Sequence, residues 1–212
     1  MSSVKMAIIG AGNVGKAIAR AATRAGHEVV ITSTDPDRTR AVADELAATA
    51  GSSNADAVRD ADLVVLAVPY HAVAAVADEV ADGLAGKPVI DATNPLAADG
   101  SGLAVTDRSG AEAVQEALPG AFVVKAFNTV FAANQADPVV DGTQLDGFFA
   151  GDDDAAKAVV AQFLSAAGYR PVDAGDLAAA RALEHMAFLN IALNARNGWA
   201  WRSGWKLVGP TG

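Results

Sequence analysis

The chain has 212 residues, no cysteine and a formal net charge of −9, and it is 51% hydrophobic but only 6% aromatic. That length fits one large domain or one domain with a small appendix. The charge argues against a nucleic-acid backbone as partner, and the lack of cysteine excludes disulfides, thiolate metal sites and cysteine nucleophiles.

"MSSVKMAIIGAG" is too short in its apolar part for a secretory signal and leads directly into glycines. No apolar run approaches the roughly 20 residues that span a bilayer. A cytoplasmic protein with small-molecule partners, away from membrane and nucleic acid, is expected. "VKMAIIG" then reads as a buried parallel strand. "NVGKAIARAATRAG" follows at helical spacing, with Gly26 as its C-terminal cap. "HEVVITS" is the second strand, and "DPDRTRAVADELAATAG" a helix capped by Asp35 with Pro36 at its first position. "DADLVVLAVP" is the third strand, "HAVAAVADEVADGL" its helix, and "KPVIDATNP" the fourth strand. A short helix "SGAEAVQEALP" leads to a fifth strand "AFVVKAFN", and "LDGFFAGD" is the sixth. The helix "DDAAKAVVAQFLSAAG", the short strand "YRPVDAG" and the long helix "LAAARALEHMAFLNIALNARNG" complete the order. Alternation at this spacing implies α/β architecture: a Rossmann-type, doubly wound, mostly parallel sheet. Stretches 99–108 and 132–143 are the longest irregular segments, and both are expected at the surface beyond strand ends.

"GAGNVG" places Gly10, Gly12 and Gly15 in the G-x-G-x-x-G pattern, between a strand and a helix. Gly10 would permit the tight turn, Gly12 the approach of a pyrophosphate, and Gly15 close packing of helix on strand. Backbone N–H groups and the helix dipole then favour the anion. At the end of the second strand, NAD binders carry an acidic residue; this chain has Ser33 and Thr34, with Arg38 one helical turn on. Asp35 lies one residue past the acidic position, where capping is its ordinary role. The pattern favours NADP(H) over NAD.

With "LAVPYHAV", "VIDATNPL", "VVKAFNTV" and "LEHMAFLNIALN", the chain resembles the NADP oxidoreductases dependent on the deazaflavin coenzyme F420 over nearly its whole length. "VVKAFNTV" is also similar to the reductase domain of the six-transmembrane epithelial antigen metalloreductases. The resemblance implies a Rossmann domain (1–142), a small C-terminal α/β lobe (143–212), hydride exchange between stacked nicotinamide and flavin-like rings, and a homodimer. It places the pyrophosphate loop on Gly10, Ala11, Gly12, Asn13, Val14 and Gly15, and the 2′-phosphate contacts on Ser33, Thr34 and Arg38. The nicotinamide-ribose segment falls on Ala67, Val68, Pro69 and Tyr70, with His71 behind. Asn94 and Pro95 match the loop after the fourth strand, and Ala126, Phe127, Asn128 and Thr129 the floor of the hydride-transfer site. The archaeal enzymes commonly have His where this chain has Asn128, so coenzyme F420 and FMN or FAD both remain as second cofactor.

Ring-to-ring hydride transfer needs orientation more than an acid or base. Asn128 is the expected positioning residue, an amide donating to a carboxamide or ring carbonyl. Lys125 is expected to snorkel at the sheet edge. His27 reads as structural, His185 as a helix surface or packing residue, and His71 equally as a ribose contact or a solvated residue. No metal is expected: the histidines are scattered, and Asp152, Asp153 and Asp154 suit helix capping better than calcium. An NADPH-dependent flavin or ferric reductase, or an NADPH-sensing module without catalysis, are the alternatives. An imine or hydroxy-acid reductase would need a longer helical C-terminal domain than a chain ending at Gly212 offers. All three tryptophans sit in "NGWAWRSGW". Trp199, Trp201, Arg202 and Trp205 are expected to border the second-cofactor site or to form a subunit contact, with Lys206 adding positive charge.

Overall fold

The computed structural model describes residues 3–209, so the outermost ends of both expected segments, 1–2 and 210–212, lie outside the described residues. The chain runs β1 (Lys5–Ile9), α1 (Asn13–Arg24), β2 (Glu28–Thr32), α2 (Pro36–Leu46), β3 (Thr49–Ala50), α3 (Asn54–Arg59), β4 (Leu63–Leu66) and α4 (Val73–Val80). It continues through β5 (Pro88–Asp91), α5 (Gly110–Ala117), β6 (Phe122–Ala126), α6 (Ala132–Gln135), β7 (Val139–Val140) and β8 (Thr143–Gln144). The last elements are β9 (Asp146–Gly151), α7 (Asp154–Ala166), β10 (Arg170–Asp173) and α8 (Ala180–Asn197).

Among the described residues, eight strands form one sheet in the order β10-β9-β6-β5-β4-β1-β2-β3. From β1 the chain winds outward through β2 and β3, then returns to β4 on the other side of β1. The switch point between β1 and β4 is the crevice where doubly wound sheets bind ligands. Alternation along each strand separates two cores. Met6 and Ile8 of β1 join Leu63 and Val65 of β4 on one face, while Ala7, Ile9, Val64 and Leu66 face the other. Helices cover both faces, as the near-continuous apolar strands require.

Three features differ from the sequence reading. The helix after β2 stops at Leu46, because Ala47 takes a left-handed conformation (φ 53°) and the chain then adds β3 to the sheet edge. The segment before β4 folds into α3, capped by Ser53. β9 pairs antiparallel with β6, and β10 parallel with β9, so the C-terminal segment extends the same sheet. No described helix is long and apolar enough to cross a membrane.

Candidate functional site

The loop from β1 to α1 sits at the switch point. Gly10 has φ 119°, a conformation costly for other residues, and a Cβ there would lie 2.3 Å from the Ala67 carbonyl oxygen. A Cβ on Gly15 would lie 1.8 Å from the Gly10 carbonyl oxygen, so the start of α1 can rest on the loop only without a side chain. Gly12 is different: it caps α1 in extended conformation, and a Cβ would meet nothing within 4 Å. The backbone there faces open space at a helix N-terminus, a geometry that accepts an anion.

Beside the loop lies a cleft of about 420 Å³. Gly10, Ala11 and Gly12 form one wall, Ser33, Thr34 and Arg38 another, and Ala67, Val68 and Pro69 of the turn after β4 a third. Asn54 also lines the cleft; its side chain accepts from Thr32 Oγ1 at 2.7 Å and donates to Glu79 at 2.7 Å. Nothing in the sequence of a six-residue helix without apolar periodicity marks it. Asp35 borders the cleft but its Oδ1 accepts from the Asp37 and Arg38 backbone at 3.0 and 3.1 Å, so that oxygen is engaged in capping α2. The Arg38 side chain has no ion-pair partner among the described residues. His71 lies exposed in a single 3-10 turn and lines no part of the cleft.

Across the loop, Val14 borders a second pocket, of about 120 Å³, at the carboxyl ends of β5 and β6. Asn94, Asn128 and Thr129 line it from the strand ends, and Ala187, Asn190 and Ile191 close it from α8. Pro95 is buried behind this wall against the α5 N-terminus. Asn128 Nδ2 donates to Asn94 Oδ1 at 3.0 Å and to the Leu183 carbonyl at 3.1 Å. Both amide protons are thereby used, which corrects the expected donor role: what Asn128 presents is Oδ1. That oxygen and Thr129 Oγ1 are buried without a hydrogen-bond partner, an arrangement that costs stability unless a ligand satisfies it. Ala126 is fully buried at the end of β6, and the Phe127 ring points into the core against Phe163 and Tyr169. Phe127 has φ 66°, strained for an aromatic residue. Gln135 Nε2 holds that turn by donating to the Phe127 and Val130 carbonyls. Gln135 and Asn134 are both buried, so part of the 132–143 stretch read as surface is structural.

Lys125 does not snorkel. It is fully buried, with Nζ 2.7 Å from Asp91 and 2.9 Å from Glu184. Burial alone would lower its pKa, but the two carboxylates reverse the effect and raise it above an ordinary lysine. The remaining titratable candidates make contacts within the fold. His27 is buried edge-on to Phe163, and burial holds its pKa below the usual value. His185 is exposed and contacts the Arg181 carbonyl. Asp153 caps α7, Asp152 accepts from Leu177 N–H, and Asp154 pairs with Lys157.

After α8, Gly198 (φ 64°) ends the helix and the tail turns back. Trp201 packs edge-on against Phe131, which also borders the second pocket. Trp199 and Arg202 line a separate open hollow of about 480 Å³ with Val140 and Asp141. Trp205 borders neither space; its carbonyl accepts from Asp146 N–H, and its indole N–H is buried without a partner. Lys206 is not free to attract an anion. Buried Asp146 takes Lys206 at 2.9 Å, Arg170 at 2.6 Å and the Leu207 N–H at 2.6 Å. These partners outweigh burial and hold the Asp146 pKa at about 2.

A family model described as "NADP oxidoreductase coenzyme F420-dependent" matches residues 5–95. The chain is 31% identical over 211 residues to the F420-dependent NADP reductase of Methanothermobacter marburgensis, covering 92% of this chain and 94% of that one. A solved structure of a putative F420-dependent NADP-reductase from Arthrobacter sp. FB24 superimposes with a TM-score of 0.88 at 32% identity, covering 98% of this chain and 100% of the other. Metalloreductase STEAP3 of Rattus norvegicus is 32% identical over 184 residues, 85% of this chain; the chain spans 36% of that protein's length.

Proposed function

The chain belongs to the coenzyme F420-dependent NADP oxidoreductases, and from that premise we propose that it transfers hydride between NADP(H) and coenzyme F420 by direct stacking of the two rings. The proposal divides the work: residues 1–142 hold the dinucleotide, and 143–212 complete the second-cofactor side, in a cytoplasmic homodimer.

The observation that carries the reading is the pair of partnerless buried atoms, Asn128 Oδ1 and Thr129 Oγ1, beside a glycine loop open at Gly12. One acceptor and one hydroxyl fit a carboxamide, which both donates and accepts. Gly10, Ala11, Gly12, Asn13, Val14 and Gly15 would hold the pyrophosphate, and Ser33, Thr34 and Arg38 the adenosine 2′-phosphate. Arg38 supports NADP over NAD because it carries no ion pair among the described residues, while an oxygen of Asp35 is taken up by its own helix. Ala67, Val68 and Pro69 would follow the nicotinamide ribose, and Asn94, Pro95, Ala126 and Phe127 would shape the floor. Held by these residues, NADPH would supply the hydride that the second ring takes up. The protein's part is placement and exclusion of water. Trp199, Trp201 and Arg202 would frame the approach of the second cofactor, and a partner subunit would cover the exposed faces of Trp199 and Trp201.

Mixing the purified protein with NADPH and coenzyme F420 and following the deazaflavin absorbance tests this. Bleaching is the expected result. Turnover with FMN or FAD and none with coenzyme F420 would favour the second reading, an NADPH-dependent flavin or ferric reductase, which the likeness to the metalloreductase supports.

A further inference from the structure

Lys125 Nζ contacts Asp91 Oδ2 at 2.7 Å, Glu184 Oε1 at 2.9 Å and the Thr93 carbonyl at 2.9 Å. The ammonium makes one hydrogen bond, to the Thr93 carbonyl, and two ion pairs. One buried cation thus ties together the end of β5, β6 and α8. Thr93 is gripped twice, because its N–H donates to Asp91 Oδ1 at 2.9 Å while its carbonyl accepts from Lys125. That fixes the peptide leading into Asn94. Asn94 and Asn128 then exchange hydrogen bonds, Asn94 Nδ2 donating to the Asn128 carbonyl and Asn128 Nδ2 donating to Asn94 Oδ1, each at 3.0 Å. The second proton of Asn128 Nδ2 goes to Leu183, the neighbour of Glu184. Glu184 is itself fixed by the backbone N–H groups of Gly110 and Ala111 at 2.9 and 3.2 Å.

Buried ion clusters add little net stability compared with apolar packing of the same volume. What this one supplies is direction. The groups that orient Asn128, namely Asn94 and the Leu183 carbonyl, adjoin Thr93, which Lys125 hydrogen-bonds, and Glu184, with which it pairs. We propose that Lys125 is a positioning residue: through Thr93–Asn94 and Glu184–Leu183 it aims Asn128 Oδ1 at the nicotinamide carboxamide. The proposal rests on the nicotinamide reading of the second pocket.

Lys125→Met alone leaves two buried carboxylates facing each other and is expected to fold poorly. The triple variant Asp91→Asn/Lys125→Met/Glu184→Gln removes the three charges together and is the decisive protein. Two ligands are compared: NADPH, and adenosine 2′,5′-bisphosphate, which reaches the first cleft but carries no nicotinamide. The triple variant should bind the bisphosphate within about twofold of wild type, as expected for a distant site. It should lose the fluorescence change of bound NADPH, and its kcat with coenzyme F420 should fall on the order of 100-fold, as misplacement by an ångström can cause. Wild-type NADPH fluorescence and kcat in the triple variant would overturn the proposal. Parallel loss of both ligands would reduce the cluster to a fold support and overturn it too. If wild type itself binds NADPH no more tightly than the bisphosphate, the nicotinamide reading fails first and takes this proposal with it.

Discussion

Gly12→Ala separates binding from folding. A Cβ at Gly12 meets nothing within 4 Å, and the residue is already extended at φ −79°, ψ −171°. Alanine at an N-cap costs roughly 0.5–1 kcal/mol relative to better caps. Restricting the unfolded chain returns about 0.4–1 kcal/mol at a position the new residue tolerates. The two nearly cancel, so thermal stability should stay within about 1 kcal/mol of wild type. The added methyl occupies space where a pyrophosphate would sit. Losing one charge-assisted backbone hydrogen bond costs about 1.5–3 kcal/mol, which raises the NADPH Kd by roughly 10- to 150-fold. Circular dichroism melts and NADPH fluorescence titrations measure the two quantities on one preparation. Gly15→Ala is the contrast: its Cβ would lie 1.8 Å from the Gly10 carbonyl, so backbone must move and the melt itself should drop. A Gly12→Ala protein with unchanged NADPH affinity would refute the placement of the pyrophosphate over this loop.

Arg38→Ala should cut the preference for NADPH over NADH by about tenfold or more, in line with a partly exposed charge-assisted contact; an unchanged ratio of the two Kd values would move the 2′-phosphate elsewhere. His27 titrates below its ordinary value because burial disfavours the cation, so the unfolded chain binds its proton first. Its contribution is complete above about pH 6.5 and declines as the pH falls below that, and His27→Gln should flatten this limb of the stability curve. Asp146→Asn removes the anion that Arg170 and Lys206 share, and a loss of roughly 2–3 kcal/mol is expected, below that of a fully buried pair because both cations are partly exposed. Limited proteolysis should then cut near Lys206 first. Its carboxyl is held at about 2, so in wild type this stabilisation is present above about pH 4 and is lost only as the pH falls toward 2. Trp201→Ala should weaken coenzyme F420 binding and leave adenosine 2′,5′-bisphosphate affinity unchanged; a change confined to assembly state would make the tail a subunit contact.

The alternation of strands and helices was legible because apolar period and glycine punctuation agree along most of the chain. Gly10, Gly15, Asp35 and Gly198 each mark a local geometry that a short sequence window contains. What could not be read is long-range. Lys125 looks like an edge lysine until β5 and α8 bring Asp91 and Glu184 to it. Asn128 reads as a donor until Asn94 and Leu183 consume both protons. The direction of β9 depends on the path of the chain after β6, where buried Gln135 holds a strained Phe127 turn inside a stretch whose composition resembles surface loop. Lys206 and Trp205 looked like site residues by composition, and Asp146 draws that part of the tail onto the sheet instead.

The most direct test of the account follows the hydrogen itself. NADPH deuterated at nicotinamide C4, on the face the enzyme uses, is incubated with the protein and oxidised coenzyme F420 in ordinary water, and the reduced product is examined by mass spectrometry. Direct ring-to-ring transfer predicts one deuterium retained on carbon in the reduced deazaflavin and none released to solvent. Reduced coenzyme carrying only solvent hydrogen, or no reduction at all while FMN or FAD turns over, would contradict it.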